Sequence, residues 1–139
     1  MNLKTMLLRD EGSVPHAYQD HLGYWTIGVG RLIDKRKGGG LSEDEISYLL
    51  ENDVRRVCAD VLEALPWVIR MNDARQSVVY AMAFQMGLKG LLGFRSTLDS
   101  MRDERYANAA EGMRQSKWAK QTPERAKRMA YQMEIGEFQ

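Results

Sequence analysis

A helical pattern of apolar residues is clearest between residues 43 and 65. Ser42 and Glu45 form a capping box, in which each side chain bonds the other residue's backbone N–H at the start of a helix. Behind it, apolar side chains recur every three or four residues: Ile46, Leu49, Leu50, Val54, Val57, Cys58, Val61 and Leu62. Because Pro66 does not continue a helix, the pattern predicts one continuous helix over about 43–65, long enough to bridge two lobes.

The residues before this helix show two other patterns. Asn2 is a suitable N-cap and Gly12 a natural stop, which predicts a short helix ending near Glu11. Residues 18–30 are rich in aromatic, β-branched and glycine residues, and the stretch from Asp20 to Gly23 is typical of a turn between two short strands. Residues 34–40 are interpreted as a charged, glycine-rich loop.

The rest of the chain is helical in pattern. Helices are predicted from Asn72 or Asp73 to Gly87, after Phe94, from Tyr106 to Met113 and over 123–133. The fold class is therefore α+β and mainly helical, with a small hairpin sheet near the N-terminus.

Composition excludes some classes of site. The 139 residues are 44% hydrophobic and 28% charged, which is enough apolar material for a core without disulfides. Cys58 is the only cysteine, so no internal disulfide can form. His16 and His21 are the only histidines, and without a cysteine cluster they do not indicate a zinc site. We expect no metal and no cofactor.

Charge is unevenly distributed along the chain. Residues 1–65 hold 8 Lys and Arg against 11 Asp and Glu, whereas residues 66–139 hold 12 against 8. A basic second half is compatible with an anionic polymer, such as nucleic acid or cell wall, and equally with an ordinary solvated surface. No nucleic-acid-binding motif occurs, so we expect no nucleic-acid partner. No apolar stretch is long enough to span a membrane, and the N-terminus becomes charged too early for a signal peptide.

Three residues of the N-terminal part form a possible catalytic constellation. Glu11 lies at the predicted C-terminal end of a helix, where negative partial charge favours the protonated carboxyl that an acid catalyst needs. Asp20 lies in the hairpin turn, and Thr26 in the second strand could hold a water with its hydroxyl. Taken singly, each residue is also explained by local structure: a surface glutamate, turn chemistry and strand propensity.

These residues lie in a motif that closely resembles the active-site signature of phage-type lysozymes, the T-even-phage-like enzymes of glycoside hydrolase family 24. In that family a Glu, an Asp nine positions later and a Thr six positions after that form the catalytic core, and the spacing of Glu11, Asp20 and Thr26 is the same. The resemblance covers nearly the whole chain. Further matching segments are Gly23–Gly30, Phe84–Gly87, Gly93–Phe94, Trp118 and Gln121–Arg128.

The resemblance implies cleavage of the β-1,4 bond between N-acetylmuramic acid and N-acetylglucosamine in peptidoglycan. Glu11 would be the general acid, while the Asp20 carboxylate and the Thr26 hydroxyl would position water, as in an inverting mechanism. The implied saccharide-cleft and supporting residues are Leu32, Phe84, Gln85, Thr97 and, near Glu11, Arg125. Leu32 and Phe84 are equally explained as core residues, whereas polar Gln85 interrupts an apolar face and fits a sugar contact better.

By the same resemblance, residues 1–139 form a single lysozyme-like domain. We expect an N-terminal lobe at about 12–42, a linking helix at about 43–65 and a helical lobe at about 66–139, with the helix 2–11 packing on the helical lobe. The protein would be a monomeric endolysin without stable membrane association. It would be held in the host cytoplasm and reach the periplasmic cell wall at lysis, with a holin implied as functional partner.

The sequence departs from the family at several positions. The region between Leu32 and Leu41 is shorter than in the T-even enzymes, and Gly112 aligns with a substrate-contacting asparagine. Arg31 stands where relatives commonly have histidine. Because that histidine usually pairs with an aspartate of the long helix, we predict an ion pair between Arg31 and Asp53.

Three alternative functions are weighed against this interpretation. A lytic transglycosylase would use one acid and an intramolecular sugar hydroxyl, and the presence of Asp20 and Thr26 argues against it. A catalytically dead wall-binding module would not need Glu11, Asp20 and Thr26. A nucleic-acid-binding protein is permitted by the basic second half but lacks a motif.

Overall fold

The structure, a computed structural model, describes residues 2–139. Within those residues it contains seven α-helices and one three-stranded antiparallel sheet, so the expected mainly helical α+β fold is confirmed. The chain divides into two compact units, the first ending at Leu49 and the second beginning at Leu50.

The first unit contains the sheet. Its elements are α1 (Leu3–Glu11), β1 (Val14–Gln19), β2 (Trp25–Gly28), β3 (Arg31–Leu32), a 3-10 turn (Lys35–Lys37) and the start of α2 (Glu43–Ala64). The predicted cap of α1 is confirmed, because the Asn2 side chain accepts the Thr5 N–H at 2.9 Å. The predicted hairpin is present, and the short strand β3 was not predicted.

The sheet has an irregular edge. β2 lies between β1 and β3, and both pairings are antiparallel. Between the Val14–Gly28 pair and the Tyr18–Thr26 pair, β1 runs four residues while β2 runs two, which is a bulge. Pro15 lies in the bulge, where a missing backbone N–H is tolerated. The proline also explains why the sequence pattern predicts a strand only from residue 18.

The long helix α2 is continuous, as predicted, and its capping box is confirmed. The Ser42 N–H donates to Glu45 Oε1 at 2.9 Å, and the Glu45 N–H donates to Ser42 Oγ at 3.4 Å. Only the C-terminal part of its apolar face is covered: Val61 is fully buried and Val57 is half-buried. The exposed apolar residues of α2 are Ile46, Tyr48, Leu49, Leu50 and Val54.

The second unit is helical throughout. After α2 it contains a 3-10 turn (Pro66–Arg70), α3 (Asp73–Leu92), α4 (Arg95–Arg102), α5 (Tyr106–Arg114), α6 (Lys117–Gln121) and α7 (Pro123–Ile135). The predicted break at Gly87 is confirmed, because its φ of 79° and ψ of 162° interrupt α3 before the helix resumes. Helix α6 was not predicted, since five residues are too few to show a helical period.

The hydrophobic core lies in the second unit, and methionine supplies much of it. The largest fully buried side chains are Met82, Leu91, Met101, Met113, Met133, Val61, Val68, Val78 and Val79. Unbranched methionines fill irregular gaps between helices, and each buried side chain of this size contributes about 1.5–3 kcal/mol. The interpretation of the methionines as core residues is confirmed at these positions.

No single helix in residues 2–139 is both long and apolar enough to cross a membrane. The consecutive helices α3 and α4, bent by 107° where they meet, satisfy the length and composition criteria only when counted together.

The structure corrects the predicted Arg31–Asp53 pair, which is wrong. Arg31 Nη1 lies 2.5 Å from Glu45 Oε2, and Asp53 pairs with Arg56, three residues further along α2. Glu45 is in the first turn of α2, whereas Asp53 lies eight residues later, about 12 Å along the helix axis. Arg31, the first residue of β3, therefore pairs with a carboxylate in the first turn of α2.

Helices α4 and α5 approach closely at Gly112. A Cβ placed on Gly112 would overlap the hydroxyl of Thr97, whose side chain is buried. The glycine at position 112 is thus explained by packing, because no side chain fits between the two helices here.

We predict that Gly112→Ala destabilises the protein by about 1–3 kcal/mol, because an added methyl overpacks a buried helix contact. Chemical denaturation of wild type, Gly112→Ala, Thr97→Ala and the double variant measures this. In the Thr97→Ala background the same substitution should cost nothing or stabilise, since alanine favours helix by about 1 kcal/mol over glycine. Equal penalties in both backgrounds would rule out the Thr97 contact as the cause.

A second prediction concerns Glu45 and acid. The Ser42 backbone N–H, the Ser42 hydroxyl and the Arg31 guanidinium, in that order, lower the pKa of Glu45 from 4.5 to about 2. A carboxyl whose pKa is lower in the folded state stabilises the protein above its unfolded pKa, and this stabilisation is lost as pH falls through the folded value. Glu45→Gln should therefore cost a constant free energy of unfolding above about pH 5 and progressively less toward about pH 2. Urea unfolding of both proteins across this range checks it, and a penalty that grows in acid would contradict it.

Candidate active site

The turn between β1 and β2 presents the Asp20 carboxylate. Asp20 Oδ1 accepts the N–H groups of Leu22 at 2.9 Å and Tyr24 at 2.8 Å, and the Asp20 carbonyl accepts the Gly23 N–H at 2.9 Å. Gly23 has a φ of 84°, a conformation that glycine adopts without steric cost. One carboxylate oxygen is thus fixed by the turn, while Oδ2 has no hydrogen bond within residues 2–139.

Thr26 lies next to this turn in β2. Its side chain is only 5% exposed, and Oγ1 donates to the Tyr24 carbonyl at 3.0 Å. The same carbonyl accepts the Asp20 N–H at 2.9 Å. The structure therefore brings Asp20 and Thr26 together through the main chain of Tyr24. Leu32 is directly opposite Thr26 on β3 and half-buried, so the two side chains share one face of the sheet.

Glu11 is the last residue of α1, and it is exposed. Gly12 follows with a φ of 76°, and its N–H donates to the Leu8 carbonyl at 3.0 Å. The Glu11 carboxyl lies against Gly30 in the β2–β3 turn: a Cβ on Gly30 would be 3.1 Å from Glu11 Oε2. Because Gly30 has no side chain, the carboxyl at the helix end can approach the backbone of the sheet.

The first unit therefore carries all three predicted catalytic residues. Glu11 ends α1, the Asp20 carboxylate is held by N–H groups of the turn, and the Thr26 hydroxyl bonds to Tyr24, the residue that also bonds Asp20. Two carboxyl groups in different surroundings are what acid-assisted glycoside hydrolysis uses. No group of three or more His, Cys, Asp or Glu side chains able to hold a metal occurs among the described residues.

An ion pair between buried Asp34 and exposed Arg36 was missed by the sequence analysis. Asp34, only 5% exposed, accepts the Trp25 N–H at 3.2 Å, the Arg36 N–H at 2.9 Å and the Arg36 guanidinium at 2.9 and 2.7 Å. The guanidinium beside it holds the pKa of the Asp34 carboxyl well below its usual range. Arg36 also donates to the Gly23 carbonyl at 3.3 Å and lies over the Tyr24 ring, 5.1 Å from its centre.

A sequence signal for this pair exists. Asp34 is the N-cap of the 3-10 turn Lys35–Lys37, and aspartate before a charged turn is a usual cap. The interpretation of residues 34–40 as a charged loop noted the charge but not the cap.

Two of the predicted substrate residues and the predicted supporting residue line one groove of the second unit. Phe84, Gln85 and Arg125 lie in a groove of about 700 Å³ that is walled mainly by apolar side chains of α2, α3 and α7. Phe84 is 50% exposed, so it is not a core residue in this structure. Gln85 Oε1 accepts the Trp118 Nε1–H at 3.0 Å, which fixes the amide and directs its NH₂ group away from the indole.

Thr97 lies elsewhere in the second unit. It lines a separate cavity of about 540 Å³ together with Phe94 and Trp118, and its side chain is nearly inaccessible. The structure thus does not place Thr97 in the groove of Phe84, Gln85 and Arg125.

Comparison with known sequences decides the family. The sequence profile of the phage lysozyme family matches residues 9–131, a span that covers most of both units and includes Glu11, Asp20, Thr26 and the groove residues Phe84, Gln85 and Arg125. The chain belongs to the phage lysozyme family. The predicted class of enzyme, a glycoside hydrolase of the lysozyme type, is thereby confirmed.

Individual relatives of this phage lysozyme family member differ in length. A probable T4-type lysozyme 1 of Dictyostelium discoideum is 28% identical over 162 residues, covering 97% of this chain and 95% of the relative. The pre-baseplate central spike protein Gp5 of Enterobacteria phage T4 is 30% identical, covering 93% of this chain but 27% of the relative. The peptidoglycan hydrolase gp36 of Pseudomonas phage phiKMV is 29% identical, covering 93% of this chain but 15% of the relative. Two of these relatives thus resemble the lysozyme chain over only part of their length.

We predict that Gly30→Ala impairs lysozyme activity beyond its effect on stability. The positive φ of 66° makes alanine cost about 1–2 kcal/mol at this position, and the new Cβ displaces the Glu11 carboxyl. Gly28→Ala is the matched control, because its φ is 70° but no atom lies within 4 Å of the added Cβ. Activity per folded molecule should fall in Gly30→Ala and persist in Gly28→Ala. Equal activity in the two variants would contradict a role for the Glu11–Gly30 contact.

Proposed function

We propose that this lysozyme hydrolyses the β-1,4 bond between N-acetylmuramic acid and N-acetylglucosamine in peptidoglycan. The observation that carries the proposal is the joint fixation of Asp20 and Thr26 by Tyr24, in the same unit as Glu11. The name of the phage phiKMV relative, a peptidoglycan hydrolase, supports the same substrate.

Glu11 acts as general acid in this proposal. As the bond between C1 and the glycosidic oxygen breaks, its electron pair stays on the oxygen, which takes the proton of the Glu11 carboxyl. The exposed end of α1 lets a sugar ring reach this carboxyl, and the contact with Gly30 limits where the carboxyl lies.

Asp20 and Thr26 act on the water that attacks C1. Asp20 Oδ1 is occupied by two N–H groups, so Oδ2 is the oxygen available to accept a proton from water. Thr26 Oγ1 uses its own proton on the Tyr24 carbonyl, which leaves its lone pairs free to accept a hydrogen bond from the same water. Two acceptors on one water orient it for attack on the face opposite the leaving group, which is an inverting mechanism.

Sugar binding is assigned to both units by residue type and exposure. Leu32 lies beside Thr26 and offers an apolar surface to a sugar ring. In the second unit, exposed Phe84, the anchored amide of Gln85 and the Arg125 guanidinium line one groove, a combination of apolar and polar groups that suits a glycan. Thr97 would contribute only through its own cavity.

We further infer a biological role as an endolysin. The enzyme would be a monomer held in the host cytoplasm, would reach the periplasmic wall when a holin opens the inner membrane, and would lyse the cell by cutting glycan strands. Lysis of host cells that express the enzyme with and without a holin would test this role.

Glu11→Gln tests the proposed reaction. Glutamine has nearly the same shape but no acidic proton, so hydrolysis of purified peptidoglycan should fall by about 10²–10⁴ or more, with the fold retained. Asp10→Asn is the matched control: it makes the same chemical change one residue earlier on α1, where Asp10 pairs with Arg9 and with no other side chain of residues 2–139. It should keep most of the activity.

The products complete this test. Hydrolysis leaves N-acetylmuramic acid with a free reducing end, whereas a transglycosylase would leave a 1,6-anhydro end. Full activity in Glu11→Gln, or anhydro products from the wild type, would overturn the proposal.

A further inference from the structure

The two peptide groups on either side of Tyr24 are hydrogen-bonded at both ends. In the Gly23–Tyr24 peptide, the N–H donates to Asp20 Oδ1 and the carbonyl accepts from Arg36 Nη2. In the Tyr24–Trp25 peptide, the carbonyl accepts from Thr26 Oγ1 and from the Asp20 N–H, and the N–H donates to Asp34 Oδ2. Each peptide thus has a catalytic residue of the proposed reaction at one end and a member of the Asp34–Arg36 pair at the other.

A peptide group transmits this constraint directly. It is planar and rigid, and its trans N–H and C=O point in opposite directions. If the bond at one end fixes the plane, the direction of the bond at the other end is fixed as well. We propose that Asp34 and Arg36 are positioning residues that orient Asp20 and Thr26 through these two peptides. The inference rests on the proposed function of Asp20 and Thr26.

The burial of Asp34 supports a demanding role. A carboxylate removed from water is costly unless it is paired and hydrogen-bonded, and Asp34 satisfies this with the main-chain N–H groups of Trp25 and Arg36 and with the Arg36 guanidinium. The Arg36 side chain, by contrast, is 66% exposed, so its charge remains in contact with water. A hairpin can fold without a buried charge, so the burial of Asp34 indicates a role beyond folding the loop.

The side chain of Tyr24 is held by the same segment. The Arg36 guanidinium lies 5.1 Å from the ring centre and Lys37 Nζ lies 4.9 Å from it, both within the range of cation–π contacts. Tyr24 is therefore fixed by its two peptides and by its ring. Among the described residues, Asp34, Arg36 and Lys37 form no hydrogen bond with Asp20 or Thr26 themselves. Their effect on the reaction would therefore be indirect.

The test uses Arg36, because its exposed side chain tolerates replacement. Arg36→Ala removes the bond to Gly23, the pair with Asp34 and the ring contact, whereas Arg36→Lys keeps the positive charge but not the forked geometry. Glu45→Gln is the control, since it breaks another arginine–carboxylate pair of the same unit, that with Arg31. The kcat and KM for soluble peptidoglycan glycan fragments, the folded fraction and the hydrogen exchange of the Tyr24 and Trp25 amides are measured for each protein.

Positioning predicts a specific combination of results. Arg36→Ala should lower kcat per folded molecule by about 10- to 100-fold, because small displacements of catalytic groups are costly, while KM changes less than about two-fold. Exchange of the Tyr24 amide should accelerate, Arg36→Lys should recover part of kcat, and Glu45→Gln should keep the wild-type kcat.

Other results would overturn the inference. If the kcat of Arg36→Ala falls only in proportion to the unfolded fraction, Arg36 has a purely structural role. If the Tyr24 amide exchanges in Arg36→Ala at the same rate as in Glu45→Gln, Arg36 does not hold the Tyr24 peptide. If the wild type cleaves no glycan, the proposed function fails. Amide exchange at Tyr24 still decides whether Asp34 and Arg36 hold the two peptides of Tyr24.

Discussion

The geometry around Tyr24 is the constraint on which the candidate site depends. Asp20 and Thr26 are six residues apart and belong to a turn and a strand, yet both bond to the main chain of this one residue. Because the bonds involve backbone atoms, the identity of the tyrosine side chain matters less to Asp20 and Thr26 than the path of the chain through residues 23–25. That path is set by the turn at Gly23, by the antiparallel pairing of β2 and by the buried Asp34 carboxylate.

The two units are stabilised by different forces. In the second unit, apolar side chains from α2, α3, α4, α5 and α7 form one buried cluster, which is ordinary hydrophobic stabilisation. In the first unit, the buried residues among those described are polar, Thr26 and Asp34, and each has a hydrogen-bond partner for its side chain. Substitutions in the second unit should therefore act mainly on stability, whereas those near the hairpin alter the directions of hydrogen bonds and thus the site itself.

Much of the fold could be predicted from local sequence, and the exceptions share a cause. Helices α1, α2, α3 and α7 were predicted because a capping residue precedes a helical pattern in the sequence, whereas α4 and α5 were predicted without a cap. The missed elements, β3, α6 and the two 3-10 turns, are too short to show a period.

The site was predicted unevenly for a related reason. The spacing of Glu11, Asp20 and Thr26 carries the family motif, so they were found, although their roles remain proposals. The cap formed by Asp34 was visible in the sequence but overlooked, whereas its bond with the Trp25 N–H, nine residues away, becomes visible only once the hairpin is folded. The Arg31–Asp53 pair was wrong because it was taken from the family's pairing, whereas Glu45 in the first turn of α2 is the carboxylate that Arg31 meets.

The stereochemistry of hydrolysis tests the central claim most directly, namely that Asp20 and Thr26 hold a water for attack opposite the leaving oxygen. Proton NMR can follow the anomeric signal of newly released N-acetylmuramic acid ends before they mutarotate. A water held in this way inverts the β-linkage, so the α-anomer should appear first. Initial release of the β-anomer would show a retaining reaction and would contradict the account.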